Sequence, residues 1–154
     1  MNVIVREAEA SDLTASVPLL AQLDPDDPRR EDTALADVYH AAYVRMIDAG
    51  TKILVVESEG SIVGTLALYI LPNISHRGSP FALVENVVVD ESHRGKGYGK
   101  LLMEHAEKMA SEAGCYKIVL TSNAQRTDAH RFYDSLGYQR SHQGFRKNLQ
   151  TAVR

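Results

Sequence analysis

The stretch "ENVVVDESHRGKGYGK", Glu85 to Lys100, decides how this chain is read. A run of β-branched residues ends in an acidic turn. Arg94, three glycines and two lysines follow, and then an apolar helical pattern begins. Glycine costs roughly 1 kcal/mol against alanine inside a helix. Three glycines at alternate positions imply that something comes close to the backbone. The first amides of a helix have no internal acceptor and carry partial positive charge. A strand that runs into such a loop therefore suits an anion, above all a phosphate.

Three phosphate-binding patterns compete. A Walker loop ending on Gly99-Lys100 needs glycine where Arg94 stands and Ser or Thr where Leu101 stands, and so fails twice. A dinucleotide fingerprint starting at Gly95 or Gly97 needs glycine at Lys100 or Leu102, and also fails. The third pattern, Arg-x-x-Gly-x-Gly, is met by Arg94, Gly97 and Gly99. The plainer reading is a tight strand-to-helix turn with solvated charges.

The rest of the chain narrows the classes. Its 154 residues suit a single domain with a sizeable core. Hydrophobic residues make up 44% and charged ones 24%, an ordinary soluble composition. A net charge of -3 offers no global field for nucleic acid, which makes the local cluster His93, Arg94, Lys96 and Lys100 more telling. The single cysteine, Cys115, allows no internal disulfide and points to a reducing, cytoplasmic setting. "MNVIVREAEASD" lacks the apolar stretch of a signal peptide, and no apolar run approaches a membrane span.

Periodicity and punctuation give the elements. Val3 to Arg6 reads as a strand. Ser11 or Asp12 is expected to cap a helix through Val17, Leu19, Leu20 and Leu23, which "DPDDP" (24–28) breaks. Leu35, Val38, Tyr39, Ala42, Met46 and Ile47 recur at helical spacing, with Gly50 as a stop. "KILVVE" and "SIVGTLALYI" form a hairpin at Glu59-Gly60. "LPNISHRGSP" (71–80) is a loop, and "FALVENVVV" is a strand, apolar on both faces and expected to be central. A helix from about Gly97 uses Leu102, Ala106, Met109 and Ala113 on one face and stops at Gly114. "YKIVLT" reads as a buried strand. "TDAHRFYDSL" reads as a short helix capped by Thr127 or Asp128 and stopped by Gly137, and "FRKNL" as a last strand. The order β-α-α-β-β-β-α-β-α-β predicts an α/β architecture with mixed strand pairing.

Arg94-Gly-Lys-Gly97-Tyr-Gly99, after a strand ending "VVVD", resembles the acetyl-CoA motif of the GNAT superfamily of N-acetyltransferases. "GCYKIVLT" and "DAHRFYDSLGY" stand where that family has its next strand and its tyrosine-bearing helix. The resemblance covers most of the chain and is weakest before Thr51. "ENVVVDESHRGKGYGKLL" and "GCYK" are similar to glucosamine 6-phosphate N-acetyltransferases. "RTDAHRFY", "GY" and "SHQGFRKNL" are similar to aminoalkylphosphonate N-acetyltransferases.

The resemblance implies one N-acetyltransferase domain over residues 1–154, with a mixed, splayed central β-sheet flanked by helices, the acyl-CoA N-acyltransferase fold. It implies acetyl-CoA as acetyl donor and a small primary amine as acceptor, with no nucleic acid and no membrane as partner; it leaves room for a homodimer. The pantetheine arm would lie beside Val87, Val88 and Val89. The pyrophosphate would rest on the amides of Gly95, Lys96, Gly97, Tyr98 and Gly99, with Arg94 and Lys100 adding charge. Tyr133 occupies the family's general-acid position, where a phenol near pKa 10 can protonate the departing thiolate. Glu85 stands at a frequent base position. The competing readings are a core tyrosine and an exposed or ligand-orienting carboxylate. Many members carry Asn seven residues before the catalytic tyrosine. Here that position is Arg126, with Asn123 one turn earlier, and either residue is a candidate cofactor contact. Arg126 suits a phosphate better, since its planar fork is always charged.

Other candidates rank lower. Cys115 is expected to pack beneath a strand, as free cysteines usually do. His76 and Arg77 are read either as a solvated loop or as a contact for an anionic substrate, a class at which Arg146 and Lys147 also hint. His76, His130 and His142 lack metal-ligand spacing, and no GxSxG elbow is present. The alternatives to a small-molecule acetyltransferase are an idle acyl-CoA sensor on the same fold, a protein N-terminal or lysine acetyltransferase, and a nucleotide-phosphate hydrolase. Tyr133 separates enzyme from sensor, because a sensor needs no acid there.

Overall fold

The Glu59-Gly60 hairpin organises the sheet. Both turn residues have positive φ, 50° and 81°, which matches the twist of the two strands they join. A computed structural model describes residues 2–28 and 30–149 of the chain. It divides after Leu120 into two compact units.

The first unit holds a five-stranded sheet in the order β1-β2-β3-β4-β5. The strands are β1 (Val3–Glu7), β2 (Lys52–Ser58), β3 (Ser61–Leu71), β4 (Phe81–Val89) and β5 (Ile118–Val119). The first four pair antiparallel, and β5 joins β4 in parallel. Consecutive residues of a strand point to opposite faces. Leu54, Val55 and Val56 are all at 0% exposure, so both faces of β2 are covered. The helices are α1 (Leu13–Ala21), α2 (Ala36–Asp48), a single kinked turn α3 (Ser75–Gly78) and α4 (Tyr98–Glu112). α1 packs on β3 and β4, and α4 on β2, β3 and β4. Among the described residues no helix is long and apolar enough to cross a membrane.

α4 descends closely onto the sheet because β3 carries Gly64 beneath it. A Cβ there would lie 2.9 Å from Val56 Cγ1, 3.0 Å from the Val88 carbonyl oxygen and 3.3 Å from Leu102 Cδ1. The buried face of α4 is Tyr98, Leu102, Met103, Ala106 and Ala110. This corrects the expected stripe: Ala113 is exposed, and the true face drifts by one residue along the helix. Gly114, with φ 80°, ends the helix as expected.

Other expectations change too. Asp12 does not cap α1 through its side chain. It accepts from the Glu9 backbone N–H at 2.7 Å and takes a two-pronged contact from Arg6 at 2.7 and 3.0 Å. Arg6 also reaches Glu57 at 3.1 Å, which ties β1, β2 and the start of α1 together. Those bonds hold the Asp12 carboxyl below its usual range. α1 stops at Ala21, before Leu23. β4 is central only in part, because β5 pairs with it at Ala82 and Leu83 alone. "YKIVLT" contributes two strand residues, Ile118 and Val119.

The second unit contains α5 (Thr127–Ser135). Neither Thr127 nor Asp128 caps it: Arg126 occupies the cap position, without a side-chain bond. Gly137, with φ 89°, ends it as expected. Residues 145–149 form no strand, and Phe145 and Leu149 are 95% and 74% exposed. Two apolar residues four apart, with Arg146, Lys147 and Asn148 between them, give no period-2 face to bury.

Candidate active site

β4 and the loop after it bring most of the expected contacts together. The strand's β-branched residues favour extended backbone, but its register with β3 slips. Val88 pairs with Thr65 and Glu85 with Ala67, so Asn86 and Val87 together face Leu66. Asn86 takes the positive φ, 58°, of this bulge. Among the described residues no strand flanks β4 on its other side beyond Leu83. The strand from Val84 to Val89 therefore presents an open edge, the geometry by which an extended, amide-bearing chain adds to a sheet.

At the end of β4 the backbone turns through a short 3₁₀ segment, Glu91–His93, into the glycines. Gly95 and Gly97 have φ 77° and 84°, a region that L side chains adopt only under strain. A Cβ at either position would meet nothing within 4 Å. The space above the loop is thus kept open, and the glycines do not serve internal packing. Gly97 is the N-cap of α4 and makes no side-chain cap bond; the first turn carries no acidic residue. Leu101 N–H closes the first intrahelical bond, to the Gly97 carbonyl at 3.1 Å. The amides before it in the first turn have no intrahelical acceptor, and they aim partial positive charge outward.

The loop cations differ in availability. Arg94 Nε donates to the Val89 carbonyl at 3.2 Å, which folds its side chain back on the strand end. Lys100 pairs with Glu104 at 3.7 Å, one turn along an exposed helix face. Lys96 makes no ion pair among the described residues. Tyr98, expected to contribute its amide, also buries its ring to 6% exposure and shares a hydrogen bond with Ser58 Oγ at 2.9 Å.

Glu85 lies on β4 opposite Ala67. Its charge acts on Tyr69, whose hydroxyl is pushed up first by burial and then by that carboxylate. Sequence reading missed Tyr69, because nothing in "LALYI" marks it off from other strand residues. His76 and Arg77 sit in α3 with φ 52° and 59°, and the His76 ring stacks on Tyr116 at 3.8 Å between centroids. Cys115 is half-buried and its thiol is pushed up by burial, the opposite of an activated nucleophile. Among the described residues no group of three or more His, Cys, Asp and Glu could hold a metal ion.

The remaining candidates lie in the second unit. Asn123 is occupied locally: its Oδ1 accepts from Gln125 N–H at 2.9 Å, and its carbonyl faces His130 Nε2 at 2.8 Å. The Tyr133 ring packs against Phe132 and Tyr138, with centroids 5.1 and 5.9 Å away. Burial pushes its hydroxyl above the ordinary phenol value, and the charge of Arg126 pulls it back. Arg126 thus acts on Tyr133 from seven residues earlier in the same unit.

The match to known proteins follows the same residues. Residues 17–138 fit the model of the acetyltransferase (GNAT) family. This chain belongs to the GNAT family. A glucosamine 6-phosphate N-acetyltransferase of Trypanosoma brucei brucei is 32% identical over 145 residues, 94% of this chain and 95% of that protein. An aminoalkylphosphonate N-acetyltransferase of Salmonella typhimurium is 36% identical over 90 residues, 58% of each chain. The crystal structure of a Trypanosoma brucei acetyltransferase superposes with a TM-score of 0.81 at 31% identity, over 96% of this chain and 100% of that one. The mixed sheet that opens along β4 is therefore the acyl-CoA N-acyltransferase fold, and the chain is an N-acetyltransferase.

Proposed function

We propose that this enzyme transfers the acetyl group of acetyl-CoA to the primary amine of a small molecule bearing a phosphate or phosphonate group. The open edge of β4 leading into an uncapped, glycine-lined helix start carries the reading. It supplies amide partners for a pantetheine arm and then donors for a pyrophosphate. The two similar enzymes named above have acceptors in which an amine and a phosphorus oxyanion occur together, which supports the acceptor class. The family match runs across the break at Leu120, which supports treating both units as one N-acetyltransferase domain.

In the proposed mechanism Glu85 takes a proton from the acceptor's ammonium group, directly or through water, so that neutral nitrogen attacks. The N–C bond forms and the C–S bond breaks, and Tyr133 gives its hydroxyl proton to the departing thiolate. A phenol near pKa 10 giving its proton to a thiolate whose acid is near 8.5 runs uphill by about 2 kcal/mol. Burial of Tyr133 adds to that cost. Arg126 offsets part of it by stabilising the phenolate, which is reprotonated, through solvent, by the second proton that the attacking nitrogen sheds as it becomes the amide. Val87, Val88 and Val89 hold the arm, and Gly95, Lys96, Gly97, Tyr98, Gly99, Arg94 and Lys100 hold the phosphates. Arg126 in this account serves the acid, while Asn123 shapes the turn before α5.

A thiol-release screen tests the acceptor. Glucosamine 6-phosphate and an aminoalkylphosphonate should release CoA faster than polyamines or aminoglycosides. Faster release with the uncharged or cationic amines would overturn the acceptor class. Acetyl-CoA binding without release for any amine would make the chain a sensor.

A further inference from the structure

The loop that opens at Asp90 is gripped by a side chain far away in sequence. Gln22 caps the C-terminus of α1 with its backbone, donating to the Leu19 carbonyl. Its carboxamide does nothing for α1. Nε2 donates to Asp90 Oδ1 at 2.9 Å, and Oε1 accepts from the Glu91 N–H at 3.2 Å. Asp90 in turn gathers the loop around its other oxygen: Ser92 Oγ donates to Oδ2, and His93 Nδ1 lies 2.8 Å from it. At the far end the Tyr98 hydroxyl meets Ser58 of β2 in a buried contact. Between these anchors run Gly95 and Gly97, which leave the backbone more freedom than any other residue would. A loop that is free in solution must be ordered on binding, and ordering weakens affinity.

We propose that Gln22 is a positioning residue of the phosphate cradle, holding the start of the loop in its binding shape through Asp90 and Glu91. The inference rests on the reading of this loop as the acetyl-CoA site. Both hydrogen bonds of the carboxamide leave α1 and end on the loop, so their purpose is the placement of the loop and not the integrity of the helix. The Asp90 carboxyl is held well below its usual range, with Gln22 the largest cause, so it accepts as a full carboxylate at any neutral pH.

The test is calorimetric titration of the whole chain with acetyl-CoA, together with steady-state kinetics. Gln22→Ala should weaken acetyl-CoA binding roughly fivefold, the worth of about one net hydrogen bond. KM for acetyl-CoA should rise with kcat nearly unchanged, since the interaction is made equally before and during reaction. Gln22→Glu should be worse than Ala, because it sets two carboxylates against each other. The double variant Gln22→Glu/Asp90→Asn reverses donor and acceptor, and should restore binding to within about twofold of the unaltered chain. Amide exchange should quicken at residues 95–99 in Gln22→Ala while residues 102–110 of α4 stay protected. Unchanged affinity in Gln22→Ala would overturn the proposal. So would a double variant no better than Gln22→Glu, because the loss would then come from general damage to α1. If the unaltered chain fails to bind acetyl-CoA, the cofactor reading itself falls, and this inference with it.

Discussion

Strands β2, β3 and β4 bury Leu54, Val55, Val56, Val63, Leu66, Leu68 and Val84 almost completely; from Thr121 to Leu149 no described residue is fully buried, and Tyr133 is half-buried. The first region carries the proposed acetyl-CoA cradle, and the second carries the proposed acid, Tyr133. Their local restraints differ accordingly. The cradle is held by a packed sheet, by Gly64 under α4, and by Gln22 and Ser58. α5 shows ring contacts around Tyr133 and exposed ion pairs, Asp128–Arg131 and Asp134–Arg140. A binding surface must be ordered before the ligand comes, because ordering it afterwards costs affinity. A proton donor needs its pKa and its ring placement, and a small unit can supply both through burial and one neighbouring charge.

The largest effect is expected at Gly97. Gly97→Val should remove acetyl-CoA binding by at least about 100-fold in calorimetry, because a side chain would fill the space the phosphate needs. Its cost to the fold should be modest: the new Cβ meets nothing within 4 Å, and the strain of φ 84° accounts for about 1–2 kcal/mol. Unchanged affinity would remove the cradle from this loop.

Gly64→Ala probes the scaffold instead. Its Cβ would press on the Val56 side chain and the Val88 carbonyl, and overpacking of this kind costs about 1–3 kcal/mol. The melting temperature should fall. An unaltered melting temperature would mean that α4 sits less tightly on the sheet than the geometry indicates.

Acid should separate the two regions by a smaller effect. Asp12, mostly buried against Arg6, has a depressed carboxyl pKa in the folded state. A depressed carboxylate contributes stability above its unfolded pKa, about 3.9, and loses it as pH falls from there through the folded value. Thermal stability should therefore decline below about pH 4, and Asp12→Asn should flatten that slope. Asp134 is also depressed, by Arg140, but that pair is exposed. Salt should weaken the Asp134 contribution and leave that of Asp12 nearly intact. Equal salt sensitivity at both sites would show that Asp12 is no better shielded than Asp134.

Much of the first region was legible in the sequence, because its signals are local. Glu59-Gly60 announces a hairpin and Gly114 a helix stop; each is a conformational demand made by one or two residues. The bulge at Asn86 and the early end of β5 are not of that kind, since they depend on which strand lies alongside. Gln22 and Ser58 were invisible for the same reason. Each is a single polar residue whose partner lies 68 or 40 positions away. In the second region the helix and Gly137 were readable, but the caps at Thr127 and Asp128 and the strand at 145–149 were not. Residue preference names candidates for a cap or a strand, but a hydrogen-bond partner decides whether one forms.

Tyr133→Phe tests the central division of labour most directly. The substitution keeps the ring and its contacts with Phe132 and Tyr138 and removes one hydroxyl. The two quantities to measure on one sample are the acetyl-CoA Kd by calorimetry and kcat with the best acceptor from the thiol-release screen. The expected result is an unchanged Kd and a kcat lower by roughly 100-fold, the low end for a positioned general acid, because the thiolate is itself a fair leaving group. Turnover near that of the unaltered chain would contradict it and leave water as the proton donor. Equal losses in binding and turnover would contradict it as well, by making the hydroxyl an anchor for the cofactor.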